Sequence, residues 1–478
     1  MASAFFRVGE VKKRPGVYQR HENVGLASPS SAMDGYCAIP VRANWGPLGK
    51  VVKNTHAKDL TKTYGAGTYN KDSYTVPAAA EMFAGGASVV YTYRLGTGGA
   101  KASKELSAGF KVTSKYPGTL AVKVAIKEKL GSASEKQLQV YVDTSLVEEF
   151  VFAADKKAEG EALINAVAGS NYITIENTGS AAPAEVAVLA VADGALTGGT
   201  NPTITNNDYS NAFSDLESYH YNTIALDVDD DENMTLGLLL KAYKDNAYKL
   251  GKTGFAVVGE KTTVAFDTRC AHAKSFNDGK VVYLGGGWKS GADNKDGVLA
   301  ICHTAGVIAA TEANQSIVHH AISGATELCE DLSFAKYEQA IESGMLMVSV
   351  SRDGTIWYDS GITTLVTPDE ATQDDGWKKI RRAKTRFEMS DRIDIALAPK
   401  VGRVTATSNG VADIIQTAQR VLDQMANSEG KLAPGASFVE DTANPHTSDS
   451  AWFIIQAYDY DSLEKIYLTY QFRYSQNS

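Results

Sequence analysis

"YNTIALDVDDDENMTLGLLLKAYKDNAYKLGKTGFAVV", Tyr221 to Val258, sets two short apolar runs, TIALDV and FAVV, on either side of a stretch with the length and composition of a helix, Asp231 to Leu250. Short apolar runs bounded by turn signals read as buried strands. The alternation extends both ways. Toward the C-terminus come VVYL (Val281 to Leu284) and an apolar helix, Val298 to Ala313. Toward the N-terminus comes a helix from Asp208 to Tyr219 with Tyr209, Phe213 and Leu216 on one face, and before it YCAIPV, VPAAAEMFAGG and VVYTYRL in the order strand, helix, strand. Strands alternating with helices of this length predict an open sheet covered by helices on both faces.

The α/β run is interrupted between Thr97 and Asn207, a stretch without Cys, His or Trp and rich in Ala, Gly, Val and Thr. Within it LAVKVAIK, QLQVYVD, EEFVF, YITIE and AEVAVLAV have strand character, and TGGTNP closes it as a turn-rich linker. A mostly β insertion domain, 97–207, is therefore predicted on an α/β domain assembled from 25–96 and 208–331. An α+β unit, 332–462, follows: the helix SFAKYEQAIESG ended at Gly344, a hairpin turned at Arg352, Asp353 and Gly354, helices over Trp377–Arg392 and Gly410–Asn427, and the strand AWFIIQAYDY. The ends, 1–24 and 463–478, read as extended arms. In the last of these, Ile466, Leu468, Tyr470, Phe472 and Tyr474 alternate with polar residues as in a half-buried strand. The fold class expected is α/β and α+β, multidomain.

A chain of 478 residues is too long for one ordinary core, and its 44% hydrophobic and 22% charged residues are usual for globular proteins. No apolar run reaches the roughly 18 residues of a membrane span, and the N-terminus lacks the apolar core of a signal peptide, so cytoplasmic synthesis is expected. Cys37, Cys270, Cys302 and Cys329 show no CxxC spacing and read as buried, reduced thiols. A net charge of −9 argues against a general nucleic-acid binder, because phosphate neutralisation needs a basic surface.

The candidate chemical motifs fail on spacing. LGKT, Leu250 to Thr253, ends like a phosphate loop, but Asn246 stands where its first glycine belongs. GGGWKS, Gly285 to Ser290, follows a strand but puts Ser290 at the third glycine position of a dinucleotide fingerprint. Asp227, Asp229 and Asp231 imitate the first calcium ligands of an EF-hand, yet Glu232 replaces its turn glycine and Leu238 its bidentate glutamate. Asp229 to Asp231 read instead as helix-capping residues. No HExxH or GxSxG motif is present. No catalytic, metal or cofactor residue is assigned, and no enzyme is expected.

One charged feature stands out of an acidic chain. In WKKIRRAKTRFEMSDR, Trp377 to Arg392, the apolar Trp377, Ile380, Ala383 and Phe387 share one side of a helix, and Lys378, Lys379, Arg381, Arg382 and Arg386 spread over the other. Such a face is usually only solvated, but six basic residues between Lys378 and Arg386 predict an acidic partner surface.

Seven stretches, in order, resemble the contractile tail sheath proteins of myophages and of R-type phage-tail-like bacteriocins, particularly the Gram-positive branch. They are RPGVY (Arg14 to Tyr18), PVRANWGPLGKV (Pro40 to Val51), LESYHYNTIALDVDDD (Leu216 to Asp231), AGVIAATEANQS (Ala305 to Ser316), DSGITTLVT (Asp359 to Thr367), WKKIRRAKTRFEMSDRI (Trp377 to Ile393) and EKIYLTYQF (Glu464 to Phe472). The resemblance implies a structural subunit that stacks as hexameric rings around an inner tail tube and contracts on a baseplate signal without nucleotide hydrolysis. The implied partners are further copies of the chain, the inner tube protein, and baseplate and tail terminator proteins, with no nucleic acid, no cofactor and no membrane insertion. The implied location is the host cytoplasm during assembly, then the virion tail or a released bacteriocin particle. By the same resemblance the arms, through Val11, Val17 and Tyr18 and through Ile466, Leu468, Tyr470 and Phe472, add to sheets of neighbouring subunits. Lys378, Lys379, Arg382 and Arg386 are expected to face the tube, and 97–207 to decorate the outer surface. The competing readings are a nucleotide-binding α/β enzyme, which ATP or NAD would stabilise thermally, and a non-contractile tail or capsid protein.

Overall fold

A seven-stranded sheet runs in the order Met345–Leu346, Val281–Leu284, Phe255–Gly259, Thr223–Ala225, Tyr36–Val41, Val89–Arg94, Val51–Asn54. All neighbours are parallel except the last, where Val51–Asn54 pairs antiparallel with Val89–Arg94. The computed structural model describes residues 34–106, 109–154, 159–179, 187–229, 233–369, 371–447 and 449–473, together with the short strands Ala4–Phe5 and Tyr18–Gln19. The inner strands are covered on both faces, which is why Phe255–Gly259 and Val281–Leu284 are apolar throughout rather than alternating, and why even Thr92 and Arg94 of Val89–Arg94 are buried.

One face carries the helices Val76–Ala84 and Val298–Ala310, and the other Asn206–Leu216, Thr235–Lys249 and Phe266–Phe276. The first two pack so closely that a Cβ on Gly306 would lie 2.1 Å from the Met82 carbonyl oxygen. Only glycine fits that approach.

The insertion is two antiparallel sheets with the helix Glu159–Val167. One is ordered Ser145–Ala153, Glu135–Val142, Val122–Glu128, Val191–Ala195, the other Ile173–Asn177, Phe110–Ser114, Ser103–Glu105. Their core is built from Phe110, Val124, Leu138, Phe152 and Leu163, but one member, Trp45, comes from outside the insertion. Outgoing and returning chains lie side by side through the bridges Thr97–Thr203, Ala100–Thr200 and Ser103–Thr197. The fifth strand expected here, AEVAVLAV, begins later than its composition indicates, at Val191.

Packing crosses the boundary expected at residue 332. Met345–Leu346 completes the parallel sheet, and Ile356, Tyr358, Leu365, Trp377, Ile380 and Phe387 belong to the same core as Ile39 and Val282. A separate core gathers Ile393, Val421, Leu422, Met425 and Phe438 from the helices Ile380–Leu397 and Ser408–Asp423 and the hairpin Ser437–Glu440 with Phe453–Gln456. The helix Ile380–Leu397 thus contributes to both cores and ties them together.

Two further readings are corrected. The helix expected from Asp231 runs over Thr235–Lys249; Asp229 does not cap it, but accepts from the Val298 amide at 3.3 Å and pairs with Lys261 at 2.6 Å, serving the start of Val298–Ala310 instead. Asp231 lies outside the described residues. Three cysteines are buried as expected, whereas Cys329 is partly exposed.

Candidate assembly interface

In an open parallel sheet, ligands favour the crevice at the carboxyl ends of the strands. Here that place is filled by side chains. Arg42, just after Tyr36–Val41, and Asp227, just after Thr223–Ala225, face one another at 3.8 Å. Asp227 accepts from the Tyr209 hydroxyl at 2.6 Å and the Thr75 hydroxyl at 2.7 Å, and Arg42 donates to the Tyr209 oxygen at 3.0 Å. Burial raises the Asp227 pKa, opposed by Arg42 and the two hydroxyl donors.

The two near-miss phosphate motifs have packing roles. A Cβ on Gly285 would meet the Met345 sulfur at 2.2 Å, and Trp288 is buried. The Thr253 hydroxyl donates to Asp391, beside a cavity of about 300 Å³ at the amino ends of the strands. That cavity is lined by Glu217, Asp391 and Asp394, while its Lys384 and Arg392 are engaged by Asp34 and Glu388, a wall ill-suited to phosphate. Among the described residues no cluster of three or more His, Cys, Asp or Glu is placed to hold a metal.

The basic helix has the two sides its spacing predicts. Trp377, Ile380, Ala383 and Phe387 are buried, with Phe387 edge-on to Phe255 at 5.0 Å between centroids. Asp374 accepts from the Gly376 amide at 2.9 Å and fixes the tight turn leading in. The cationic side, however, meets the chain's own C-terminal segment. Arg382 pairs with Asp459 at 2.8 Å, Arg386 with Asp459 at 2.9 Å and with Asp374 at 2.7 Å, Lys379 pairs with Glu464, and Arg381 donates to the Ser462 hydroxyl at 3.1 Å. Burial would raise the Asp459 carboxyl, but the hydrogen bonds from Arg382 and Arg386 hold it below its ordinary range. Lys378 pairs only with its neighbour Asp375, at 2.9 Å.

Of the four residues expected at a tube, then, three face carboxylates of the chain's own C-terminal segment and Lys378 faces Asp375. The spacing of the cations is visible in the sequence; their partners, 73 to 85 residues downstream, have no periodic signal. Lys384, on the buried side, donates to the carbonyls of Ile308 at 3.0 Å and Ala309 at 2.9 Å and so caps Val298–Ala310. One turn further along, Glu388 and Glu429 alternate with Arg392 and Lys431 in a ring of pairs between 2.5 and 2.8 Å. Burial would raise Glu429, but hydrogen bonds from Arg392 and Lys431 bring it down to about 2.

Beyond Glu464 the described tail makes no ion pair or hydrogen bond of this kind with the described residues. The terminal strand predicted over Lys465–Tyr474 is not formed by the described residues of the chain: residues 460–473 carry no secondary structure, and Ile466, Leu468, Tyr470 and Phe472 are 69% to 92% exposed. Tyr474 lies outside the described residues, as do Val11 and Val17. Tyr18 stands in Tyr18–Gln19, which pairs in parallel with Ala4–Phe5. Close to the tail, the hairpin Ser437–Glu440 with Phe453–Gln456 is a sheet of two strands among the described residues, and Val439, Trp452, Ile454 and Ile455 on and beside it are exposed.

Residues 202–364, spanning the Asp227 plug and most of the parallel sheet, match the phage tail sheath protein central domain. This stretch, about a third of the chain, is similar to the central domain of phage tail sheath proteins. Among the relatives of this chain, the phage-like element PBSX protein XkdK of Bacillus subtilis is 25% identical over 375 residues, covering 77% of this chain and 76% of XkdK. The sheath tail protein Lin1278 of Listeria innocua has the same fold, with a TM-score of 0.70 at 17% identity over 89% of this chain and 95% of that one. The helical sheath of the anti-feeding prophage, solved in its contracted state, matches with a TM-score of 0.50 at 12% identity over 96% of this chain and 99% of that one. The motifs that carried the resemblance fall at joints of the sheath fold: Arg42 and Trp45 in the second, Asp227 in the third, Gly306 in the fourth. No helix among the described residues is long and apolar enough to cross a membrane.

Proposed function

We propose that this chain is a tail sheath protein, the repeating subunit of a contractile tail, stacked as hexameric rings around an inner tube, assembled in an extended lattice that stores energy and shortened on a baseplate signal to drive the tube through a cell envelope. Its partners in this reading are other copies of itself, the tube protein, and the baseplate and terminator proteins. It is assembled in the host cytoplasm and carried on a virion or a released bacteriocin particle. No catalytic step is assigned to it.

The observation that carries the reading is the exposed apolar tail beside a two-stranded hairpin whose Phe453–Gln456 strand has no second strand beside it among the described residues, the Phe438 edge being met by Gln419. Edges and exposed alternating apolar residues are liabilities unless another chain pairs with them. A tail strand from one copy adding to a sheet of the next satisfies both, by main-chain hydrogen bonds. Burying Ile466, Leu468, Tyr470 and Phe472 would contribute about 6–12 kcal/mol, and four or five net hydrogen bonds about 4–5 kcal/mol. Ordering nine residues costs about 9–18 kcal/mol. Attachment of one arm is near balance, so arms hold only when the lattice holds them together.

A contact between Lys379, Arg382 or Arg386 and the tube requires the 459–464 segment to move aside; Lys378 is the cation of the four that solvent reaches most. The test is truncation after Glu464, which removes no buried side chain of the described tail. The shortened subunit should remain folded by circular dichroism yet fail to form striated cylinders in negative stain. Contractile cylinders from it would overturn the linking role of the arm.

A further inference from the structure

We propose that the cationic face of Ile380–Leu397 is a docking seat for the chain's own acidic segment, residues 459–464, and that by holding or releasing this segment the seat sets how much C-terminal tail is free to engage a second copy. The second half of the proposal rests on the sheath reading above; the first half does not.

The contacts form an ordered zipper. Arg386 and Arg382 share Asp459, Arg381 meets Ser462 and Lys379 meets Glu464, so the segment runs antiparallel to the helix. Lys379, Arg382 and Arg386 are spaced three and four residues apart, which places them on one stripe of the helix surface. A stripe of three cations met by carboxylates in matching order is a fitted surface, and the fit is to this segment.

The attachment has two strengths along its length. Up to Tyr460 the segment is also held by its backbone: Leu432 bridges Asp459, the Ala433 amide donates to the Tyr458 carbonyl at 2.8 Å, and the Tyr460 amide donates to the Lys431 carbonyl at 3.5 Å. From Asp461 to Glu464 the contacts to the body are made by side chains, and Lys379 and Glu464 are still 27% and 18% exposed. Partly exposed pairs are screened by salt and individually weak. The outer half is therefore the part that lets go first.

Letting go changes reach. With the seat filled, residues 465–473 are free, about 30 Å when extended at roughly 3.3 Å per residue. With residues 461–464 released, the free tail gains about 13 Å. A subunit linked to a neighbour through this tail can then follow a displacement of that size without breaking the link, and the basic stripe is uncovered only in the released state.

The experiment uses the full-length chain before assembly. Amide hydrogen exchange of residues 461–464 is measured for the natural protein, for Lys379→Glu, for Glu464→Lys and for the double charge swap, at low and high salt. Each single change should speed exchange of these amides roughly fivefold, salt should do the same to the natural protein, and the swap should return exchange toward the natural rate. Equal exchange in all four proteins would overturn the seat. Assembly supplies the second arm: cylinders of Lys379→Glu should show altered ring spacing or release subunits at lower salt than cylinders of the swap. If exchange responds but cylinders of all variants are identical, the seat stands and its control of reach is wrong. If no variant and not even the natural chain forms cylinders, it is the sheath reading that fails, while the exchange data still decide the seat.

Discussion

Trp45, on the loop that follows a strand of the parallel sheet, stacks on Tyr172 of the insertion with 5.9 Å between centroids and 18° between planes. The insertion's core is therefore completed by a residue of the domain that carries it, and Trp45 is only 3% exposed. Replacing it by serine in the full chain should cost about 3–5 kcal/mol in urea unfolding, as for other buried large-to-small changes. In a chain shortened by joining Ala100 to Thr200 through a two-residue turn, the same substitution should improve solubility, because Trp45 would otherwise face water. The same sign in both backgrounds would show that the insertion does not shelter Trp45.

Gly306 offers a sharper test of packing. Gly306→Ala must push the helices Val76–Ala84 and Val298–Ala310 apart and should lose about 1–3 kcal/mol, the usual cost of overpacking. Gly169, around which a Cβ would meet no atom within 4 Å, is the control. Gly169→Ala should stay within about 0.5 kcal/mol of the natural protein.

The third prediction concerns acid. His303 is buried against Trp288, 5.1 Å between ring centroids, with Tyr358 at 3.3 Å; burial, then the charges of Lys295 and His320, pushes its pKa from 6.5 to about 4. The unfolded chain takes up this proton at higher pH than the folded one, so stability falls as pH drops from 6.5 through 4 and levels off below. The loss is about 3 kcal/mol. Glu429 and Asp278, both held at about 2 by their cationic partners against burial, act in a lower window, where stability present above their ordinary pKa is lost as pH falls toward 2. His303→Gln should flatten urea stability between pH 6.5 and 4 and leave the lower window unchanged. An unaltered slope in the upper window would rule His303 out.

The fourth concerns the plug at the carboxyl ends of the sheet. Asp227→Ala leaves Arg42 without its carboxylate and two buried hydroxyls without their acceptor, and should cost about 3–5 kcal/mol. Asp227→Asn should cost less, since its amide oxygen still accepts from Tyr209 or Thr75. Equal losses from the two would mean that charge, not hydrogen bonding, dominates the site.

How far these features can be read from sequence depends on the kind of physics behind each. Tyr36–Val41 and Phe255–Gly259 are legible because burial on both faces writes an uninterrupted apolar run. Phe266–Phe276 is not, because its buried side includes Arg269, whose charge is met by Glu330 and whose presence breaks the apolar stripe. The alternation of Ile466, Leu468, Tyr470 and Phe472 reads as a strand because period two reports a two-sided environment, but it is silent on which chain supplies that environment. The basic stripe is legible from helical spacing, whereas Asp459 and Glu464 are joined to it only by the folded chain. Met345–Leu346 is two residues long, too short to announce that the parallel sheet continues past residue 332.

The paired backbones at Thr97–Thr203 and Ala100–Thr200 have a bearing on ancestry as well as architecture. Where a polypeptide departs and comes back through adjacent, hydrogen-bonded positions, whatever is strung between them can be exchanged in one genetic event without re-threading the rest of the molecule. Lineages of such a protein are then free to vary this unit while the parallel sheet and its plug stay under separate constraint. The same socket is a natural place to graft a foreign domain, provided the newcomer brings an aromatic partner for Trp45.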